Sequence, residues 1–195
     1  MNEFMVWFGT GMAHILSMGA YDHILFVTLL VTTFAFRDWQ KLLLVITAFT
    51  VGHSISLAIS TLGFIRISAP LIEALIATTV LVSSIYAILS CKKPDTMKLW
   101  TFAAAVAFFG LIHGLGFSFL LKAMLGKEQS VFLPLLYFNL GLELGQLIIV
   151  LVVLVFSLLL VKLIKLSLTS YKLIIACSIA FIAAKITLER FLELY

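Results

Sequence analysis

Residues 132–161 read FLPLLYFNLGLELGQLIIVLVVLVFSLLLV, and this stretch decides the class of the fold. It carries one charged side chain, Glu143, and its last fifteen residues hold no polar group but Ser157. About 20 mainly apolar residues suffice to cross the hydrocarbon of a bilayer. The whole chain has the same character: 195 residues, 63% hydrophobic, 11% charged, mean hydropathy +1.21. Soluble domains are about half apolar and about a quarter charged. One soluble core of this size cannot hide so much apolar surface, so the chain is read as an integral membrane protein.

Working outward from that run, five more apolar runs give an all-α, polytopic transmembrane helix bundle. The six spans are expected at about 20–36, 41–62, 70–91, 99–121, 132–161 and 171–192 in one membrane domain. Short polar connections separate them, among them RDWQ, CKKPDTMK and KLIKLSLTS. Pro70 and Pro134 fall where first helical turns should be, where a missing N–H costs little. Residues 4–18 are apolar but short, and Gly19 offers a break before the first span. They are therefore expected to form an N-terminal interfacial or re-entrant helix. No basic leader with a small-residue cleavage site opens the chain, so no cleaved signal peptide is expected. Cys91 and Cys177 stand alone near helix ends and imply no disulfide framework.

The net charge of +4 comes from basic residues placed singly or in pairs at the ends of apolar runs. That is a membrane pattern and not a nucleic-acid one. Loops one, three and five carry eight of them: Arg37, Lys41, Lys92, Lys93, Lys98, Lys162, Lys165 and Lys172. The opposite side carries four, Arg66, Lys122, Lys127 and Arg190. The positive-inside rule puts the odd loops in the cytoplasm and both termini outside.

With that orientation, the intramembrane polar residues share one slab in the outer half. His14 belongs to the short N-terminal segment, and Asp22 and His23 open the first span. His53, with Ser54 beside it, lies in the second, Glu73 at the start of the third, His113 in the fourth. Asn139, Glu143 and Gln146 follow at i, i+4 and i+7 on one face of the fifth. An ionised group at mid-membrane costs roughly 2.5–3.5 kcal/mol on insertion scales, so such groups face a partner or a cavity. Carboxylates and neutral imidazoles together form the ligand set of a divalent transition metal. His14, Asp22, His23, His53, His113 and Glu143 are the candidate ligands, with Ser54, Glu73, Asn139 and Gln146 supporting them. Asp22 and His23 are adjacent and point about 100° apart on a regular helix, so one is expected to bind the ion and the other to orient a ligand. Gly110, Gly114 and Gly116 thin the helix around His113, and Gly141 and Gly145 let another helix approach closely.

These residues carry a resemblance. GMAHILSMGAYDHILFVTLL, TAFTVGHSISLAIS, PLIEALIATTVLVSS, GLIHGLGFS and FNLGLELGQ, in that order over residues 9–150, resemble the HupE/UreJ membrane proteins. The family is generally regarded as nickel or cobalt permeases that accompany hydrogenases and ureases. Its acidic and histidine positions fall here on His14, Asp22, His23, His53, Glu73, His113 and Glu143. The nickel branch has a shorter spacing between its first histidine and the Asp-His pair. Here His14 and Asp22 are eight apart, which resembles the second branch.

The resemblance implies a permease for a divalent transition metal (nickel, cobalt or zinc) in a bacterial inner membrane. Its partners would be the ion and the bilayer, with no nucleic acid, and the glycine faces permit a homodimer. The competing reading is an intramembrane zinc-type hydrolase acting on a lipid or a membrane-anchored peptide. There three of the ligands would hold the metal, and Glu143 or Glu73 would be the general base. A metal sensor or insertion factor without net flux is the third reading. The cytoplasmic half of the bundle is poor in polar residues, with Thr79, Ser83 and Ser84 its main exceptions, so a permease would have to open that half by helix movement.

Overall fold

Glycine sets the closest contacts between helices. A computed structural model describes residues 2–34, 38–91, 97–125 and 130–194. Arg37, Lys92, Lys93 and Lys127, used in the charge count, lie outside these. The helices run in chain order as α1 (Glu3–Leu16), α2 (Tyr21–Thr33), α3 (Trp39–Thr61), α4 (Ala69–Ser90), α5 (Leu99–Leu125), α6 (Phe132–Ile164) and α7 (Leu168–Leu192). A 3-10 turn, Met18–Ala20, joins the first two. No strand occurs among the described residues.

Local chemistry explains several ends. The Asn2 side chain accepts from the Phe4 N–H and caps α1, and Ser167 caps α7 by accepting from the Ser170 N–H. Pro70 occupies the first turn of α4. Gly63, at φ +86°, ends α3 in a left-handed conformation that glycine adopts without steric cost. α3 through α7 are each long and apolar enough to cross a membrane. α6 has 33 residues, roughly 50 Å at 1.5 Å per residue, and must tilt or project from a hydrocarbon layer of about 30 Å.

Two helix pairs interlock through glycine. A methyl group at Gly52 of α3 would overlap the Ala107 carbonyl oxygen of α5, and one at Gly110 or Gly114 of α5 would overlap the carbonyl of Phe49 or His53. Gly11 of α1 and Gly141 of α6 make the same contact, against Phe138 and Phe8. In lipid no hydrophobic force drives helices together, so close backbone approach supplies the dispersion contact. Ridges without side chains thus bring His53 beside α5 and His14 beside α6. α4 and α7 pack antiparallel, with Glu73 against Arg190 at one end and Cys91 against Thr169 at the other. The cysteines are free. The end with Glu73 and Arg190 is called here the mouth end, and the end with Lys41, Lys98 and Lys172 the basic end.

The N-terminal segment is a short helix set off from α2 by the break at Met18–Ala20. It runs beside α6 in the same sense, from Phe4 against Tyr137 to Ile15 against Gly145. α2 then continues toward the basic end, where the Lys172 ammonium donates to the Thr33 carbonyl at 2.7 Å. The two helices bend by 53° at the break and pass together as one candidate span. The cause is the Gly11–Gly141 contact, which holds α1 flat along α6 where a bulkier pair would push it off.

Candidate metal centre

Four helices and the α1–α2 break converge on a cluster of imidazoles. His14 reaches it from the end of α1, Asp22 and His23 from the first turn of α2, His53 from α3 and His113 from α5. Ring centroids lie 5.2 Å apart for His14–His23, 6.2 Å for His14–His53, 6.1 Å for His23–His53 and 5.0 Å for His23–His113. Two groups bring three ligand atoms within 4.8 Å of one another: His14, His23 and His53, and Asp22, His23 and His113.

The two groups are not equivalent. His14 Nε2, both nitrogens of His23, both nitrogens of His53 and His113 Nδ1 are buried without a hydrogen-bond partner among the described residues. Buried polar atoms are normally paired, so this set of bare imidazole nitrogens is shaped for something it does not itself contain. His113 is better supplied, because its Nε2 lies 2.9 Å from the Thr79 hydroxyl. Asp22 serves both sides of the cluster: one oxygen is 3.1 Å from His23 Nδ1, the other 3.9 Å from His113 Nδ1. A carboxylate behind an imidazole fixes its orientation and raises its basicity as a ligand. Asp22 and His23 both lie in the first turn of α2, with Asp22 placed to orient His23. Three imidazoles with one position open, backed by a carboxylate, suit zinc, nickel or cobalt.

Phenylalanines close the cluster toward the basic end. Phe26, Phe49 and Phe109 lie one turn in that direction from His23, His53 and His113. Phe26 is 5.1 Å from Phe49 and 6.2 Å from Phe109, and both Phe26 and Phe49 pack on the His113 ring. Beyond them a separate apolar space of about 200 Å³ is lined by Leu29, Leu30, Val106 and Phe109 among others. Toward the mouth end the cluster opens into a cavity of about 350 Å³. Its walls are apolar, with Ile76, Ala77, Val80 and Ile186, and its rim carries Glu73 and Arg190. Arg190 Nη1 is 3.0 Å from Glu73 and 2.8 Å from Glu193, and Nη2 donates to the Tyr21 hydroxyl at 3.5 Å.

The remaining expected site residues lie elsewhere. Glu73 is a rim residue paired with Arg190, with no contact to the imidazoles. Glu143 is not in the cluster: it accepts from the Thr47 hydroxyl at 2.8 Å in a groove between α3 and α6. Shared depth had suggested a shared site, but Glu143 points to another side of the bundle. Ser54 lines that groove and donates to the Thr50 carbonyl, and Gln146 accepts from Thr50 at 2.7 Å. Asn139 joins the two regions, its side chain facing the His53 ring. Lys185 pairs with Glu189 on an exposed face. Sequence reasoning missed the phenylalanine layer, although His-to-Phe spacings of three or four recur on three helices. It also missed Thr79 as a histidine partner and Arg190 as the rim cation.

A protein-family model described as HupE / UreJ protein matches residues 1–192 of the chain. No curated protein and no solved structure matches it.

Proposed function

Because the chain belongs to the HupE/UreJ family, we propose that it is a membrane permease for a divalent transition-metal cation of the nickel and cobalt class. The observation that carries this reading is the convergence of His14, Asp22, His23 and His113 on one open cavity, with His53 grouped behind them beside His14 and His23. A hydrated cation enters at the mouth, beside the Glu73 carboxylate. It loses water to the imidazole nitrogens of His14, His23 and His53, a common ligand set for such ions. Asp22 balances part of the charge and steadies His23. His113, held by Thr79, completes the wall. The phenylalanine layer keeps the bound ion from the basic end, as a transporter open to one side requires.

The hydrolase reading keeps one supporting observation, the closed floor beneath an open coordination position. Its chemistry is less well served. A general base must stand within hydrogen-bond reach of the metal-bound water. Glu143 lies in the α3–α6 groove and Glu73 is engaged by Arg190. Among the described residues only Asp22 offers a carboxylate at the cluster. Ni²⁺ and Co²⁺ uptake into proteoliposomes tests the choice. The permease reading expects uptake that His53→Ala and Asp22→Asn abolish. Absence of uptake by a protein that holds one zinc ion per chain would overturn it in favour of chemistry.

A further inference from the structure

If the cluster delivers its ion to the basic end, the straight way down is blocked by phenylalanine. A polar way exists to one side. Thr47, Thr50 and Ser54 share one face of α3, spaced i, i+3 and i+7. Opposite them on α6 stand Asn139 and Glu143. Together they line a groove of about 260 Å³. His53 and Phe49 point to other sides of α3, so the seam passes the aromatic layer and does not cross it. From His53 to Thr47 the seam descends six residues, roughly 9 Å toward the basic end at 1.5 Å per residue.

The ladder is supplied with unspent polar atoms. Asn139 Oδ1, at the top beside His53, is buried with no hydrogen-bond partner and is an acceptor free to meet a cation. Glu143 accepts from Thr47 through one oxygen, and no Lys or Arg lines the groove among the described residues. Carboxyl side chains within the hydrocarbon layer are rare and mark ion pathways. The exposed rim of the groove is apolar at Val51, Ile55, Leu136 and Leu140, with Thr47 its one exposed polar residue, so the bilayer covers most of it.

We infer that the α3–α6 seam is the inward route of the cation, and that Glu143 with Thr47, Thr50 and Asn139 forms a second cation station on it. This rests on the permease reading and adds a site separate from the imidazole cluster. The two stations differ in ligand chemistry. The upper offers imidazole nitrogen, which nickel, cobalt and zinc favour. The lower offers only oxygen, a set better matched to harder ions. An ion passing from nitrogen to oxygen goes from tight to loose binding, as release requires. Asn139 bridges them, with its free oxygen at the point of transfer.

The test is Glu143→Gln in full-length protein, with Co²⁺ as the probe. Binding is read from stoichiometry and the cobalt absorption bands in detergent, and flux from a dye enclosed in proteoliposomes. The expected result is an unchanged cobalt spectrum and one ion bound, with uptake reduced at least about tenfold and partly restored in Glu143→Asp. The unchanged spectrum also reports that the variant is folded. Uptake within about twofold of wild type would reduce the groove to interhelical glue and overturn the inference while leaving the permease reading intact. Loss of cobalt binding in Glu143→Gln but not in Glu143→Asp would also overturn it, since Glu143 would then serve the upper site. Failure of the wild type itself to take up metal would remove the permease reading, and the station with it.

Discussion

Replacing Gly141 by alanine should displace His14 from the cluster without touching it. The added methyl group would overlap the Phe8 carbonyl oxygen and lie 2.9 Å from its carbon and 3.1 Å from the Met12 nitrogen. A carbon and a carbonyl oxygen in ordinary contact sit about 3.3–3.6 Å apart, and the Phe8 oxygen would lie only 2.0 Å away, so α1 must retreat by about 1.3–1.6 Å. Both obstructing groups are backbone, so no side chain can swing aside. Metal–ligand distances in a working site hold to about ±0.2 Å, and the retreat exceeds that about six- to eightfold. His14 then falls out of range of an ion held by His23 and His53. Affinity should drop by at least the roughly 10–100-fold typical of disturbed supporting residues. Gly9→Ala is the matched control: nothing lies within 4 Å of its added methyl group, and alanine favours the helix by about 1 kcal/mol. Calorimetric titration of both purified variants with Co²⁺ reads the difference. Equal affinity of Gly141→Ala and wild type, or equal weakening by both substitutions, would refute the packing argument.

Three further outcomes are expected. Asp22→Asn keeps the size of the side chain but removes the charge behind His23, so metal affinity should fall about 10–100-fold in the same titration, with helix content unchanged by circular dichroism. Thr79→Val leaves His113 Nε2 without its partner in a buried site, which should cost about 1–3 kcal/mol of stability in a detergent unfolding series. Arg190→Gln breaks a rim pair whose side chains are 31% and 46% exposed, so stability should change by no more than about 1 kcal/mol. Its effect belongs to kinetics: with the guanidinium gone from the mouth, stopped-flow Co²⁺ association should quicken, more at low salt than at high.

The helices α3 to α7 were legible because uninterrupted apolar runs and a few prolines fix where a membrane helix can begin and end. His53 and His113 were legible as partners, because a buried imidazole in lipid needs company and the glycines beside them announce a close neighbour. The α1–α2 segment was legible only as a break at Gly19. Its direction afterwards depends on α1 lying along α6, a contact between residues separated by about 130 positions. Depth was recoverable from sequence, whereas angular position around the bundle was not. Glu143 stands at a plausible depth for the cluster but on the seam side of α6, and Arg190, counted as one loop charge among four, turns inward over the cavity.

The bend between α1 and α2 has a mechanical consequence. His14 belongs to the upper half of that crossing and His23 to the lower, with Ser17 to Ala20 as the only covalent joint between them. An ion gripped by both imidazoles would act as a brace across the joint, and its departure would leave an elbow free to flex. The angle of a single broken helix would thereby become a gauge of occupancy. A change in that angle would carry the news of binding along α2 to Thr33 and, through its bond with Lys172, to the far end of α7.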